Sequence, residues 1–91
     1  MHGEYKTPGG KLVVVDFAVA DGRLSDAMVS GDFFLYPEEA LEYISGALDG
    51  LSVDASEEHI AQSVADALPQ GTEMLGFSPE AIAIAVRRGL A

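Results

Sequence analysis

Two histidines, fifteen carboxylates and a Gly-Gly-Lys turn are the residues of this 91-residue chain whose types could do chemistry. Gly9-Gly10-Lys11 invites comparison with phosphate-cradling loops, but its spacing matches neither a P-loop nor a dinucleotide fingerprint, and a strand pattern follows where a helix is required. A tight turn is the better reading, with Lys11 still able to reach an anion held by another molecule. His59 has Glu57 and Glu58 beside it, which is not the His-Glu-x-x-His spacing of a zinc site, and His2 lies far off near an end expected to be loose. A Ser-His-Asp arrangement would have to use His59, and no nucleophile-and-base pattern marks it out. Glu38, Glu39 and Glu42 read as one solvated helix end. The sequence therefore offers no catalytic residues, no cofactor-binding motif and no metal site.

Composition narrows the classes further. Cysteine is absent, which removes disulfides, thiolate nucleophiles and cysteine metal sites together. A formal net charge of −10 repels phosphate backbones and anionic lipid surfaces, so nucleic acid and membrane are poor partners. No apolar stretch approaches the roughly 20 residues of a membrane helix, and the N-terminus lacks the order of a secretory signal, so a cytoplasmic protein is expected. Only Lys6 and Lys11 are lysine, while Asp and Glu occur in every segment. That bias suits a halophilic source, where molar salt screens the self-repulsion of an acidic surface. The length suits one domain spanning residues 1–91.

The elements that would carry these residues are legible from periodicity. Glu4 to Thr7 can form a short strand, and Pro8-Gly9-Gly10 supplies a reversal. Lys11 to Ala20 is the clearest strand, with Val13, Val15, Phe17 and Val19 expected on one buried face. Asp21-Gly22 between two strand patterns signals a hairpin. A third strand runs from Arg23 to about Phe34, and Leu24, Met28 and Val29 break its alternation, which suggests a bulge or a twist.

Everything after this meander reads as helix. Pro37 opens the first, with Glu38 and Glu39 at the positive end of its dipole, Leu41, Ile44 and Leu48 as its stripe, and Gly50 as its stop. Asp54 or Ser56 caps a second, which carries Ile60, Val64 and Leu68 and ends at Pro69. Ser78-Pro79-Glu80 starts a third, with Ile82, Ala85 and Val86 on one side and Arg87 and Arg88 near its negative end. Strands first and helices after predict an α+β domain of two layers, a three-stranded antiparallel meander with helices packed on one face.

Such a sheet has a second face, here Leu12, Val14, Asp16, Ala18 and Ala20, and a far edge where Phe33 and Phe34 are adjacent. In extended chain these rings point to opposite sides. Either the chain bends at Gly31-Asp32 and buries both under the first helix, or one ring, with Leu35 and Tyr36 close by, forms a docking edge.

Two stretches support a resemblance. Glu4-Tyr5-Lys6-Thr7-Pro8-Gly9-Gly10-Lys11-Leu12-Val13 and Ser30-Gly31-Asp32-Phe33-Phe34-Leu35-Tyr36-Pro37-Glu38 resemble the C-terminal domain of lipoate–protein ligases, particularly the separately encoded small subunit found in archaea. The resemblance implies a fold similar to the iron–sulfur scaffold proteins, in shape only because the chain has no cysteine. It further implies an accessory subunit in a heterodimer. Its partner would be a large catalytic subunit that holds lipoate, ATP with magnesium, and the catalytic lysine, and that transfers the lipoyl group to a lysine of an acceptor domain. The small subunit would be needed for the activation step that forms lipoyl-adenylate. Under this resemblance the partner interface is expected at Tyr5, Lys6, Pro8, Gly9, Gly10 and Lys11 together with Gly31, Asp32, Phe33, Phe34 and Tyr36. Two alternatives stand beside it: an adaptor unrelated to lipoate that binds another protein through the same sheet edge, and a small enzyme using Asp32 and His59.

Overall fold

The alternating segment forms the central strand β2 (Leu12–Ala20) of an antiparallel sheet, between β1 (His2–Lys6) and β3 (Arg23–Gly31), in a computed structural model that describes all 91 residues. Val13, Val15 and Phe17 are buried as alternation requires. Val19 departs from that expectation and is 37% exposed, because it sits beside the turn at the end of the hairpin. In that turn Asp21 and Gly22 both adopt positive φ, 54° and 74°, which matches the right-handed twist of the flanking strands.

The irregularity expected in the third strand is a bulge. Asp16 pairs with Met28 but Ala18 pairs with Ser25, so β3 contributes one extra residue, and Asp26 takes φ of 52° to accommodate it. The extra residue switches which positions face inward. Leu24 is buried before the bulge and Ala27 and Val29 after it, while Met28 points out. The Asp49 carboxylate accepts the Ala27 N–H at 2.9 Å, within the bulge.

Three boundaries differ from the sequence reading. β1 starts at His2 and ends at Lys6, so the segment expected to be loose is an edge strand; Phe17 N donates to the Met1 carbonyl at 2.9 Å beside it. β3 stops at Gly31 instead of reaching Phe34, because Gly31 takes φ of 151° and the chain turns there. It resumes as β4 (Phe34–Tyr36), which leaves the meander and pairs with β5 (Glu73–Leu75) in a second, two-stranded sheet. That strand lies in the half expected to be wholly helical.

The helices are α1 (Ala40–Leu48), α2 (Glu57–Ala67) and α3 (Pro79–Leu90). Pro37 does not begin α1. It follows a cis peptide bond and enters a tight turn in which Ala40, Leu41 and Glu42 donate to the carbonyls three residues back. Of the two candidate caps for α2, Ser56 serves, its hydroxyl accepting His59 N at 3.1 Å. Ser78 caps α3 in the same way through Ala81 N, with Pro79 as its first residue.

Helix α1 packs on β3, α3 packs on β1 and β2, and α2 closes over both helices. Ile44, Leu48, Ile60, Val64, Ile82 and Val86 share one core with the inward residues of the sheet. The opposite sheet face is uncovered, with Asp16, Ala18 and Ala20 exposed. The architecture is the expected α+β one, with its helices on one face. No helix is long and apolar enough to cross a membrane.

At Gly3 the contact between β1 and α3 is made by backbone. A Cβ built on Gly3 would lie 1.8 Å from the Ala85 carbonyl oxygen, and one on Gly89 would lie 2.9 Å from the Phe17 ring. Gly3→Ala should therefore destabilise the fold by about 3 kcal/mol through overpacking. Gly46→Ala, in α1 with open space at its Cβ, should stabilise by up to about 1 kcal/mol through helix propensity. Urea denaturation of the two variants against the parent checks both signs.

Candidate functional site

Phe33 and Phe34 take opposite directions, as their adjacency in extended chain demands. Phe33 turns inward, half-buried, and stacks on Phe77 with centroids 3.7 Å apart and planes at 19°. Phe34 turns outward and is 67% exposed, which overturns the arrangement with both rings buried. The pleat of β4 and β5 then sorts their neighbours: Leu35 and Met74 pack against the core, while Tyr36 and Leu75 join Phe34 outside at 69% and 57% exposure. Phe34 lies opposite Leu75, and Tyr36 opposite Glu73. With Pro37, Glu38 and Glu39 they line an open groove of about 570 Å³.

The two segments singled out in the sequence meet at this sheet. Lys11 N donates to the Gly76 carbonyl at 2.8 Å, fastening the Pro8–Lys11 turn to the end of β5. Within that turn Gly10 N donates to Thr7 O at 2.8 Å, and Gly9 adopts φ of 73°. The Asp32 carboxylate accepts Leu12 N at 2.9 Å, tying the start of the Phe33–Tyr36 segment to the other side of the turn. Gly31 packs against the Leu12 carbonyl so closely that a Cβ there would clash. Lys6 and Lys11 are exposed at the hairpin tip. Tyr5, also half-buried, stands apart from this group, with the Arg88 guanidinium 4.9 Å from its ring centroid. Glu73 and Leu75 were missed by sequence reasoning. The available signal was a short segment bracketed by Gly71 and Gly76, a turn-bounded strand cue.

Asp32 and His59 both take part in local fastening. Asp32 holds Leu12 N, and His59 contributes its backbone N–H to the Ser56 cap while its side chain is exposed. No group of three or more His, Asp or Glu side chains is placed to hold a metal ion.

The fold and its exposed row define the class, an α+β domain whose small second sheet presents aromatic and aliphatic side chains to solvent. Comparison with known proteins makes that class particular. The chain is 32% identical over 76 residues to lipoate-protein ligase A subunit 2 of Thermoplasma acidophilum, covering 84% of this chain and 77% of that protein. It also superposes with a TM-score of 0.72 and 30% identity on a chain from the structural analysis of an archaeal lipoylation system, a bipartite lipoate protein ligase and its E2 lipoyl domain from the same organism. That match covers 96% of this chain and 98% of the other. No family model matches. The chain belongs to the lipoate-protein ligase A subunit 2 family.

On the uncovered face of the meander, His2 is held between two carboxylates, Nε2 at 2.6 Å from Glu4 Oε2 and Nδ1 at 2.6 Å from Asp16 Oδ1. The hydrogen bond to Glu4, then that to Asp16, raises its pKa above the ordinary 6.5. A raised folded-state pKa means that the clamp stabilises fully below 6.5 and loses its contribution as pH rises through the folded value. The melting-temperature difference between the parent and His2→Gln should therefore be largest near about pH 6 and shrink above it, at fixed ionic strength. A difference that grows with pH would contradict the clamp.

Proposed function

We propose that this chain, acting as one domain over residues 1–91, is the accessory subunit of a bipartite lipoate–protein ligase and works by docking on the large catalytic subunit. The observation that carries the reading is the outward row Phe34, Tyr36 and Leu75, an apolar surface on a member of this family with no covering element of its own. In the proposed division of labour the large subunit holds lipoate, ATP and magnesium. The lipoate carboxylate attacks the α-phosphorus of ATP, releasing pyrophosphate and leaving lipoyl-adenylate. The amine of an acceptor-domain lysine then displaces AMP in a second step carried by the large subunit.

The accessory chain assists the first step by mass and shape. Adenylation needs carboxylate and phosphorus in line and water excluded, and a docked domain can order the loops that accomplish both. The contact is assigned to Gly31–Tyr36 and the Pro8–Lys11 turn, which the fold brings together, with β5 added to it. The test is a pyrophosphate-release assay with the cognate large subunit, lipoate, ATP and magnesium. Activation should depend on adding this chain, and Phe34→Ala and Tyr36→Ala should each lower it about tenfold, the loss typical of an interface anchor. Transfer from preformed lipoyl-adenylate should stay intact. Unchanged activation in both variants would sink the assignment of this surface.

The acidic surface supports a further part of the proposal, a cytoplasmic protein of a salt-adapted cell. All fifteen Asp and Glu residues are exposed, and the two ion pairs present both use His2. Their mutual repulsion is a long-range cost that salt screens. The melting temperature should accordingly rise with added potassium chloride into the molar range, and a flat or falling curve counts against the halophilic origin.

A further inference from the structure

The cations of this chain are few, and the arginines are occupied. Arg23 Nη1 donates to the Gly50 carbonyl at 2.9 Å, Arg87 Nη1 to Val53 O at 2.7 Å, and Arg88 Nη1 to Glu4 O at 3.2 Å. Lys6 and Lys11 differ. Both are exposed, and neither side chain makes a hydrogen bond or an ion pair although fifteen carboxylates share the surface. Both also belong to one hairpin tip, which the Lys11 N–Gly76 O bond fastens beside Leu75.

The charges around the outward row are thereby sorted along the strands. Phe34 and Leu75 form the cross-strand pair nearest the lysine tip. Two residues further on, roughly 7 Å along the strand, Tyr36 pairs with Glu73, and Glu38 and Glu39 follow at the same end of the groove. None of these three glutamates has a cationic partner. Asp32, the carboxylate near the lysine end, accepts the neutral Leu12 N–H and stands there as one carboxylate against the two ammonium groups.

We propose that this β4–β5 face is electrically split and that the large catalytic subunit meets it in one orientation. The partner presents an apolar hollow to Phe34, Tyr36 and Leu75, carboxylates to Lys6 and Lys11, and lysine or arginine side chains to Glu38, Glu39 and Glu73. Charge complementarity of this kind sets register and suppresses the reversed pose. The inference rests on the accessory-subunit reading and adds the chemistry of the surface that reads this one.

The test is calorimetric titration of the cognate large subunit with the parent chain, with Lys6→Glu/Lys11→Glu, and with Glu39→Lys/Glu73→Lys. The salt concentration is one at which melting curves show every variant folded. Both double variants should bind about tenfold more weakly or worse, since each places like charges across the contact. The lysine reversal is decisive, because it makes the chain more negative by four units from −10. A partner attracted only by net negative charge would bind that variant more tightly, and such a result overturns the split. Unchanged affinity in both variants places docking elsewhere and overturns it too. Adenylation that still depends on the chain then leaves the accessory role standing, whereas adenylation that never needed the parent chain removes that role itself.

Discussion

Helix α3 lies so close to β1 at Gly3 that no side chain fits there. The Ala85 carbonyl occupies the place where a Cβ of Gly3 would be, and Gly89 rests against the Phe17 ring. Helices normally stand off a sheet by the length of the side chains between them. Here Gly3, Gly89 and the small Ala85 on the same stripe of α3 let the helix come down to the sheet. The other helices are placed by that choice. With α3 seated over β1 and β2, α1 covers β3, and α2 closes the core by packing on both helices. All the helical mass falls on one side of the meander.

The second sheet is held at one end by an aromatic pair. Phe77, in the link from β5 to α3, stacks on Phe33 in the link from β3 to β4, beside the Phe34–Leu75 pair of the two short strands. Three residues per strand are too few to be stable alone. They hold because Leu35 and Met74 pack into the common core, and that inward packing leaves Phe34, Tyr36 and Leu75 pointing out. These three side chains make one exposed apolar row on the small sheet. It arises here as the reverse side of a pleat whose inner side is structural.

Charge follows a division of the same kind. The arginines fasten loops and helix α3 by donating to backbone carbonyls, a use for which the guanidinium fork is well suited. The carboxylates remain on the surface, where water and ions solvate them, and a few also serve local fastening: Asp32 at the β2 entrance, Asp49 at the bulge, Glu4 and Asp16 around His2, and Asp66 with Gln62. The surface is thus strongly acidic without buried charge.

Features that depend on neighbours along the chain were legible in the sequence: Val13, Val15 and Phe17 as the inward set of β2, though not Val19, the Asp21-Gly22 hairpin, an irregularity in β3, the cap at Ser78, and Ser56 as one of two candidate caps. Each follows from a period or a turn preference a few residues long, which the chain carries wherever it goes. Tertiary structure alone decided that β1 begins at His2, that Phe34 and not Phe33 faces solvent, that Gly31 ends β3, and that Glu73–Leu75 pairs with a strand almost forty residues earlier. Those outcomes turn on which distant surface arrives to cover a segment. A three-residue strand has too little pattern to announce itself, and it becomes a strand where the Phe33–Phe77 stack and the Lys11 N–Gly76 O bond hold it beside its distant partner.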